Sequence, residues 1–395
     1  MKELRRIIAA SVLVSLISVL CWFGIFTFLN AYIIKGLGRS NADWTATTLW
    51  FIGGILFWQV LATGISARIG RLKTVLLGMS AGALFYLAVA FTRELFLIRA
   101  LLFLAGFIQP AVISWLAYIT EISGDRPGRT LAVKSFIEVP FGVVIMVAGG
   151  RLVSVLDYRS AFLLLGLFSA LCTAAFYVLA GKMPKENPAV GAVSLWRISR
   201  PEWGMLLRGP FLVIMLMGIA FEPFNFHTVN QLFPNLARDI FHLKEGAIAN
   251  IVALGRLPSL LSLLFAAHII DRVQELRFYG FGLMLAGVCV LSTGLAGSAS
   301  ALVFAYLGFY VFHGAVWGSN FAAVNVTIEP KLRDAAFAIT SIVSMAAIFL
   351  VGIVHNRLVI NAVSLPHIFV QCGLAGGLAG LILIGYSFFR QAKSQ

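Results

Sequence analysis

Residues 160–181 read SAFLLLGLFSALCTAAFYVLAG, and residues 182–207 after them read KMPKENPAVGAVSLWRISRPEWGMLL. The first stretch contains no Asp, Glu, Lys or Arg. It is long enough to cross a bilayer core, which takes about 20 apolar residues in a helix. The second stretch is the only extended polar segment between such runs. Together the two stretches predict a chain of membrane helices that is divided near its middle.

Apolar runs of the same kind continue outward in both directions, separated by charged residues or by Gly, Pro and Asn. They predict an all-α membrane protein with twelve transmembrane helices, six on each side of the polar segment. We expect a six-helix bundle at 1–181, a cytoplasmic linker at 182–207 and a second six-helix bundle at 208–395. The linker is either an interfacial helix, as its Trp and Arg residues favour, or an unstructured connection. The predicted spans are 7–34, 44–66, 72–92, 95–120, 130–153, 160–181, 208–236, 245–270, 276–298, 300–327, 333–357 and 364–389.

Composition agrees with the membrane class. The 395 residues are 60% hydrophobic and only 12% charged, too few charges for a soluble protein of this size. The net charge of +14 does not predict nucleic-acid binding, because the basic residues lie in short loops rather than on one patch. Cys21, Cys172, Cys289 and Cys372 fall singly in apolar runs, so neither a disulfide framework nor a metal site is expected. We also expect no cofactor.

The basic residues also predict the orientation. Segments on the N-terminal side of the membrane hold 20 of the 30 Lys and Arg residues, and the opposite loops hold 8. By the positive-inside rule, both termini are cytoplasmic in a plasma (bacterial inner) membrane. The basic N-terminus leads into an apolar run reaching about Phe28 without a cleavage site, so we interpret it as a retained first helix.

The loop after the second span carries a family resemblance. It reads TGISARIGRLK at 63–73, and the second half has HIIDR at 268–272. These resemble the loop motif of the major facilitator superfamily, although Ala67 stands where that motif has Asp. Residues 125–132 and 329–338 also echo each other, as internal repeats do.

The resemblance implies two pseudo-symmetric six-helix bundles that move a small solute by alternating access, as a monomer. It implies that helices 3, 6, 9 and 12 face lipid while the others line a central cavity. It also implies a cytoplasmic gate formed by Arg68, Gly70, Arg71, Asp271 and Arg272.

Ionisable side chains inside membrane spans are costly and mark functional sites. Glu222 in span 7 and Arg256 in span 8 lie near the midplane of the predicted membrane. Our leading hypothesis is that they face each other, so that Glu222 carries a proton and Arg256 binds an anionic group of the solute. The alternative is a permanent ion pair that only fixes helix packing.

Other candidates have two readings each. Glu138 is either a proton carrier or an ion-pair partner of a loop Arg, and Arg99 is either a solute ligand or a structural anchor. His313 and His227 relay protons or make helix–helix hydrogen bonds. Gln109 lies near the midplane, and Asn225 lies where Pro223 interrupts span 7 and frees backbone carbonyls.

We therefore expect a proton-coupled secondary transporter of a small organic solute that is anionic, zwitterionic or amphipathic. The alternatives are a drug or metabolite efflux antiporter of the same fold, or a non-transporting membrane binding or assembly protein. An enzyme is not expected, because no paired catalytic groups lie at matching depth. ATP-driven transport is not expected either, because no Walker loop is present.

Overall fold

The seventh predicted span is interrupted, and the rest of the fold positions this interruption. The structure, a computed structural model, describes residues 2–122, 127–184, 203–204, 206, 209–255, 257–259, 262, 275–328 and 333–394. Every regular element in these ranges is a helix.

The first half begins with α1 (Lys2–Val19), which continues as π-helix at Leu20–Leu29 and Tyr32–Gly36. The helices after it are α2 (Asn41–Ile69), α3 (Arg71–Val89), α4 (Leu95–Ala105), α5 (Ile108–Ile122), α6 (Pro127–Val155) and α7 (Tyr158–Ala180). The fourth predicted span is thus two helices with a turn between them. Pro110 explains the turn, since it has no N–H to donate to the carbonyl of Gly106.

The second half begins with α8 (Gly209–Val213), followed by π-helix at Ile214–Ile219. It continues with α9 (Glu222–Asp239), α10 (Glu245–Leu254), α11 (Glu275–Gly294), α12 (Ala299–Thr327), α13 (Arg333–Ile360) and α14 (Leu365–Ser394). The end of the eighth predicted span, 263–270, lies outside the described residues, as does most of the predicted linker.

Nine helices among the described residues are long and apolar enough to cross a membrane. The predicted spans at 130–153 and 300–327 contain shorter apolar helices, Pro140–Val155 and Ala299–Gly314. The remaining predicted span, at 245–270, is described only in part. The helices therefore fit a multi-pass membrane protein, while the count of twelve rests on the sequence.

Local sequence sets several helix ends. Ser40 and Asp43 form a reciprocal capping box at the start of α2. Gly70, at φ +89°, turns the chain between α2 and α3, a conformation that side chains disfavour. Asp157 caps α7, and hydrogen bonds from the backbone N–H and the hydroxyl of Ser160 hold the pKa of the Asp157 carboxyl below its usual range.

The chain forms two compact units. The first contains the described residues within 1–192 together with Lys244–Ala253, and the second contains those within 193–243 and 254–395. Lys244–Ala253 follows the linker in sequence but packs in the first unit. Lys35 Nζ lies 2.8 Å from Glu245 Oε1, and Ala249 contacts Gly150 directly.

Glycines bring α11 and α14 of the second unit to backbone contact. A Cβ on Gly287 would lie 2.5 Å from the backbone nitrogen of Gly377 and 2.7 Å from the carbonyl oxygen of Gly373. Gly280 would meet the carbonyl oxygen of Gly380 at 3.0 Å. Small residues let helices approach this closely, and the contact fixes the rotation of α11, which carries Tyr279.

Candidate functional site

Glu222 lies at a break in the seventh predicted span, as the sequence indicates. The π-helix Ile214–Ile219 ends in a turn at Ala220–Phe221, and α9 then begins at Glu222 with Pro223 in its first turn. Proline suits this position, because the first N–H groups of a helix have no partner within it. π-Helical segments often occur at functional sites.

Glu222 and His313 form a buried pair inside the second unit. His313 Nδ1 of α12 lies 3.4 Å from Glu222 Oε1, and both residues are over 90% buried. Glu222 Oε1 makes no hydrogen bond in the described structure. A carboxylate beside an imidazole can hold a proton that either group can take.

Aromatic rings hold the His313 imidazole in place. Phe226 of α9 stacks on it at 4.6 Å between ring centroids, and Phe309 of α12 stacks on it at 5.2 Å. Tyr310 meets its ring edge-on at 6.3 Å. Ring faces attract cations, so this setting suits an imidazole that becomes charged.

Asn225 of α9 and Tyr279 of α11 add further polar atoms where these two helices pack together. Asn225 Nδ2 donates to the carbonyl of Leu283 at 3.4 Å, and its amide packs directly on Gly376 of α14. In the described structure Asn225 Oδ1 and the hydroxyl of Tyr279 make no hydrogen bond, although both side chains are buried. Such atoms are costly unless water or a ligand meets them.

A second polar cluster lies further along α9. His355 of α13 is fully buried, with Nδ1 2.6 Å from Gln231 Oε1 and Nε2 3.0 Å from Thr228 Oγ1. His227 stacks parallel to His355 at 5.6 Å. The sequence analysis named His227 but missed His355 and Tyr279. His355, an imidazole in a predicted span, could have been found by the rule that singled out His313.

Two other candidates lie in the first unit, each with protein partners. Gln109 Oε1 accepts a hydrogen bond from Trp22 Nε1 at 2.8 Å. Arg99 donates to Thr47 Oγ1 at 3.1 Å and lies 3.8 Å from Asp43 Oδ1. These contacts suit the reading of Arg99 as a structural anchor.

The gate predicted from the resemblance is only partly described. Arg68 is exposed and Arg71 partly exposed on either side of the turn at Gly70, whose N–H donates to the Ser66 carbonyl at 2.9 Å. Asp271, Arg272 and the solute-binding candidate Arg256 lie outside the described residues, as does the side chain of Glu138. Within the part of the chain that the structure describes, no three metal-ligating side chains gather in one place.

Comparisons with known proteins give the family. The family model for the Major Facilitator Superfamily matches residues 11–352. No curated protein matches this chain significantly in sequence.

Solved structures share the fold. The chain is similar to a POT family transporter in complex with a thioalcohol-conjugated peptide and to one in complex with 5-aminolevulinic acid. Each match has a TM-score of 0.78, 14% identity and 96% of both chains covered. It is also similar to a D-xylose–proton symporter, with a TM-score of 0.75, 14% identity and 95% of both chains covered. The chain, a transporter rather than an enzyme, belongs to the Major Facilitator Superfamily.

Proposed function

We propose that this protein is a proton-coupled secondary transporter of a small organic solute, with Glu222 as the proton-carrying group and His313 as its partner. The observation that supports the proposal is the Glu222–His313 pair, two titratable side chains buried 3.4 Å apart where a membrane helix is interrupted. A permanently charged pair would have to offset its desolvation with several hydrogen bonds, and Glu222 Oε1 has none to the residues that the structure describes. An exchangeable proton removes that cost.

The protonation state of Glu222 determines how the Glu222–His313 pair can interact with a solute. Protonated Glu222 is a neutral hydrogen-bond donor, and deprotonated Glu222 attracts a cationic His313 or an amino group. A solute with an anionic or zwitterionic end would bind better to one protonation state of Glu222. That preference would couple the movement of the solute to the movement of the proton. Arg256 remains our candidate for the anion contact. We also propose a monomer with both termini cytoplasmic.

The first test identifies a solute by thermal stabilisation of the purified protein at two pH values. The panel contains short peptides, 5-aminolevulinic acid and D-xylose, the compounds named for the similar structures, and amino acids as further small zwitterions. A solute that stabilises the protein is then loaded into proteoliposomes with an imposed pH gradient.

Glu222→Gln is the deciding variant, with Glu94→Gln as its matched control in an exposed loop. We expect Glu222→Gln to lose accumulation driven by the pH gradient but to keep exchange of labelled for unlabelled solute. Glu94→Gln should behave as wild type. Uphill accumulation by Glu222→Gln at the wild-type level would contradict the role of Glu222 as proton carrier. Reversing the pH gradient distinguishes import with protons from export in exchange for protons.

A further inference from the structure

In each unit, the described residues include a π-helical glycine that contacts a buried tyrosine of another helix. In the first unit, Gly24 lies in the π-helix Leu20–Leu29, and a Cβ there would lie 2.5 Å from the hydroxyl of Tyr86 in α3. That hydroxyl donates to the carbonyl of Leu20, at the start of the π-helix, at 2.6 Å. We call Leu20, Gly24, Phe28 and Tyr86 the first Gly–Tyr motif.

The second unit repeats the arrangement. Gly218 lies in the π-helix Ile214–Ile219, and a Cβ there would lie 2.6 Å from the hydroxyl of Tyr279 in α11. Each π-helix starts four residues before its glycine. We call Ile214, Gly218, Glu222 and Tyr279 the second Gly–Tyr motif.

The two motifs differ in what the tyrosine hydroxyl meets. Tyr86 is satisfied by a backbone carbonyl, whereas the Tyr279 hydroxyl makes no hydrogen bond in the described structure although the residue is fully buried. Four residues after the glycine, the first motif has Phe28 and the second has Glu222. Tyr279 therefore contacts the chain four residues before Glu222.

We propose that Tyr279 is a positioning residue for Glu222, whose hydroxyl donates a hydrogen bond to the carboxylate when Glu222 releases its proton. This inference rests on the proposed function of Glu222. The Tyr279 hydroxyl supplies the donor and Glu222 Oε1 the acceptor, and neither atom has another hydrogen-bond partner among the described residues. Contact with Gly218 holds the phenol ring of Tyr279 against the helical segment four residues before Glu222.

The pH at which Glu222 titrates depends on the titratable groups that lie around it. Among the described residues, α12 brings His313 to it, and Tyr279 of α11 contacts Gly218, four residues before it. The titratable groups on other turns and helices nearby are His227, His355 and Cys372, and His355 contacts both of the others. The ionised carboxylate would thus have Tyr279 and His313 as its donors.

The test is a pH titration of the protonated carboxyl signal by infrared difference spectroscopy on the purified full-length protein in lipid. The part of the carboxyl signal that is missing from the Glu222→Gln variant belongs to Glu222. In Tyr279→Phe we expect the midpoint of that signal to move to higher pH by about one unit, because the ionised form loses one charge-assisted hydrogen bond. Tyr86→Phe, the matched control, should leave the midpoint unchanged.

A second variant covers the case in which Tyr279→Phe does not fold. Replacing Tyr279 by 3-fluorotyrosine keeps the ring and gives a more acidic hydroxyl, so the midpoint should move to lower pH. A Glu222 signal that titrates at the same pH in wild type and either variant would overturn the role of Tyr279 alone. Absence of any Glu222 titration in the wild type would overturn the proposed function as well.

Discussion

The first and second Gly–Tyr motifs place similar backbones around different chemistry. In the first, Phe28 packs on Gly149 of α6, and Tyr86 hydrogen-bonds the Leu20 carbonyl, so every group has an apolar or backbone partner. In the second, Glu222 takes the place of the phenyl ring, and the hydroxyl of Tyr279 has no backbone partner in the ranges that the structure describes. The close glycine–tyrosine contact is therefore structural in both units, while the polar site depends on one residue.

This difference explains how one unit can hold a titratable group without a different architecture. A π-helical turn and a glycine admit a tyrosine ring in either unit. Where a phenylalanine follows, the contact only packs. Where a glutamate follows, the same contact brings a hydroxyl beside a carboxylate in an interior in which unpaired charge is costly.

The largest expected effect comes from placing the charge of the second motif in the first. Phe28→Glu should destabilise the protein by about 3 kcal/mol or more, because the carboxylate would be buried against Gly149 without an assigned donor. Thermal unfolding in detergent, followed by size-exclusion chromatography, measures the loss. Phe28→Leu is the control and should cost less than about 2 kcal/mol. A stable Phe28→Glu protein would show that the two motifs are not distinguished by polarity.

Adding a methyl group to the glycines should have the next largest effect. Gly218→Ala places a Cβ against two ring carbons and the hydroxyl oxygen of Tyr279, whereas Gly24→Ala meets chiefly the hydroxyl of Tyr86. We expect Gly218→Ala to cost about 1–3 kcal/mol and Gly24→Ala less. Gly385→Ala in α14, where a Cβ meets nothing, should be neutral or slightly stabilising. Equal thermal midpoints for all three variants would refute the close contact.

Removing the hydroxyls separates the motifs at acidic pH, where Glu222 keeps its proton. Tyr86→Phe should lower the free energy of unfolding by about 1 kcal/mol, because the Leu20 carbonyl loses its donor. Tyr279→Phe should leave it unchanged or raise it, because its hydroxyl makes no hydrogen bond within the described structure. Denaturation of both variants in parallel gives the comparison, and the opposite ranking would show that Tyr279 has a structural bond of its own.

The smallest expected effect is that of Asp157, which lies outside both motifs and gives a reference for how stability depends on pH. The pKa of Asp157 is lowered, chiefly by the hydrogen bond from the Ser160 backbone, so its stabilising effect is present at neutral pH and is lost as the pH falls through the lowered value. Asp157→Asn should therefore lower the thermal midpoint slightly at pH 7, and the difference from wild type should shrink as the pH falls below the usual pKa of an aspartate. A difference that stays the same throughout the acid titration would mean that the cap does not depend on charge.

The sequence predicted the membrane class, which is confirmed, and it singled out Glu222 and His313 as candidates, because a charged or imidazole group in an apolar run stands out. The division at 182–207 and the role of the two residues stay predictions. It did not predict that these two meet. Depth along a helix can be counted from residues, but the rotation of neighbouring helices depends on packing such as that of Gly287 on Gly377. Arg256, the partner predicted for Glu222, lies outside the described residues, so that pairing stays a prediction.

Tyr279 and the π-helices were missed for a related reason. Tyrosine is a common residue of membrane helices, and only the absence of a partner for its hydroxyl makes Tyr279 unusual. A π-helical turn changes the backbone pairing by one residue without changing the apolar pattern of a run such as LCWFGIFTFL at 20–29. Hydrophobic periodicity therefore cannot reveal it.

The proton on Glu222 is the central claim, and it can be tested without knowing the solute. The measurement is the pH-dependent infrared difference spectrum of wild type and Glu222→Gln in lipid. We expect a protonated-carboxyl band that grows as the pH falls in the wild type and is missing from the variant. The same carboxyl band in both proteins at every pH would contradict the account.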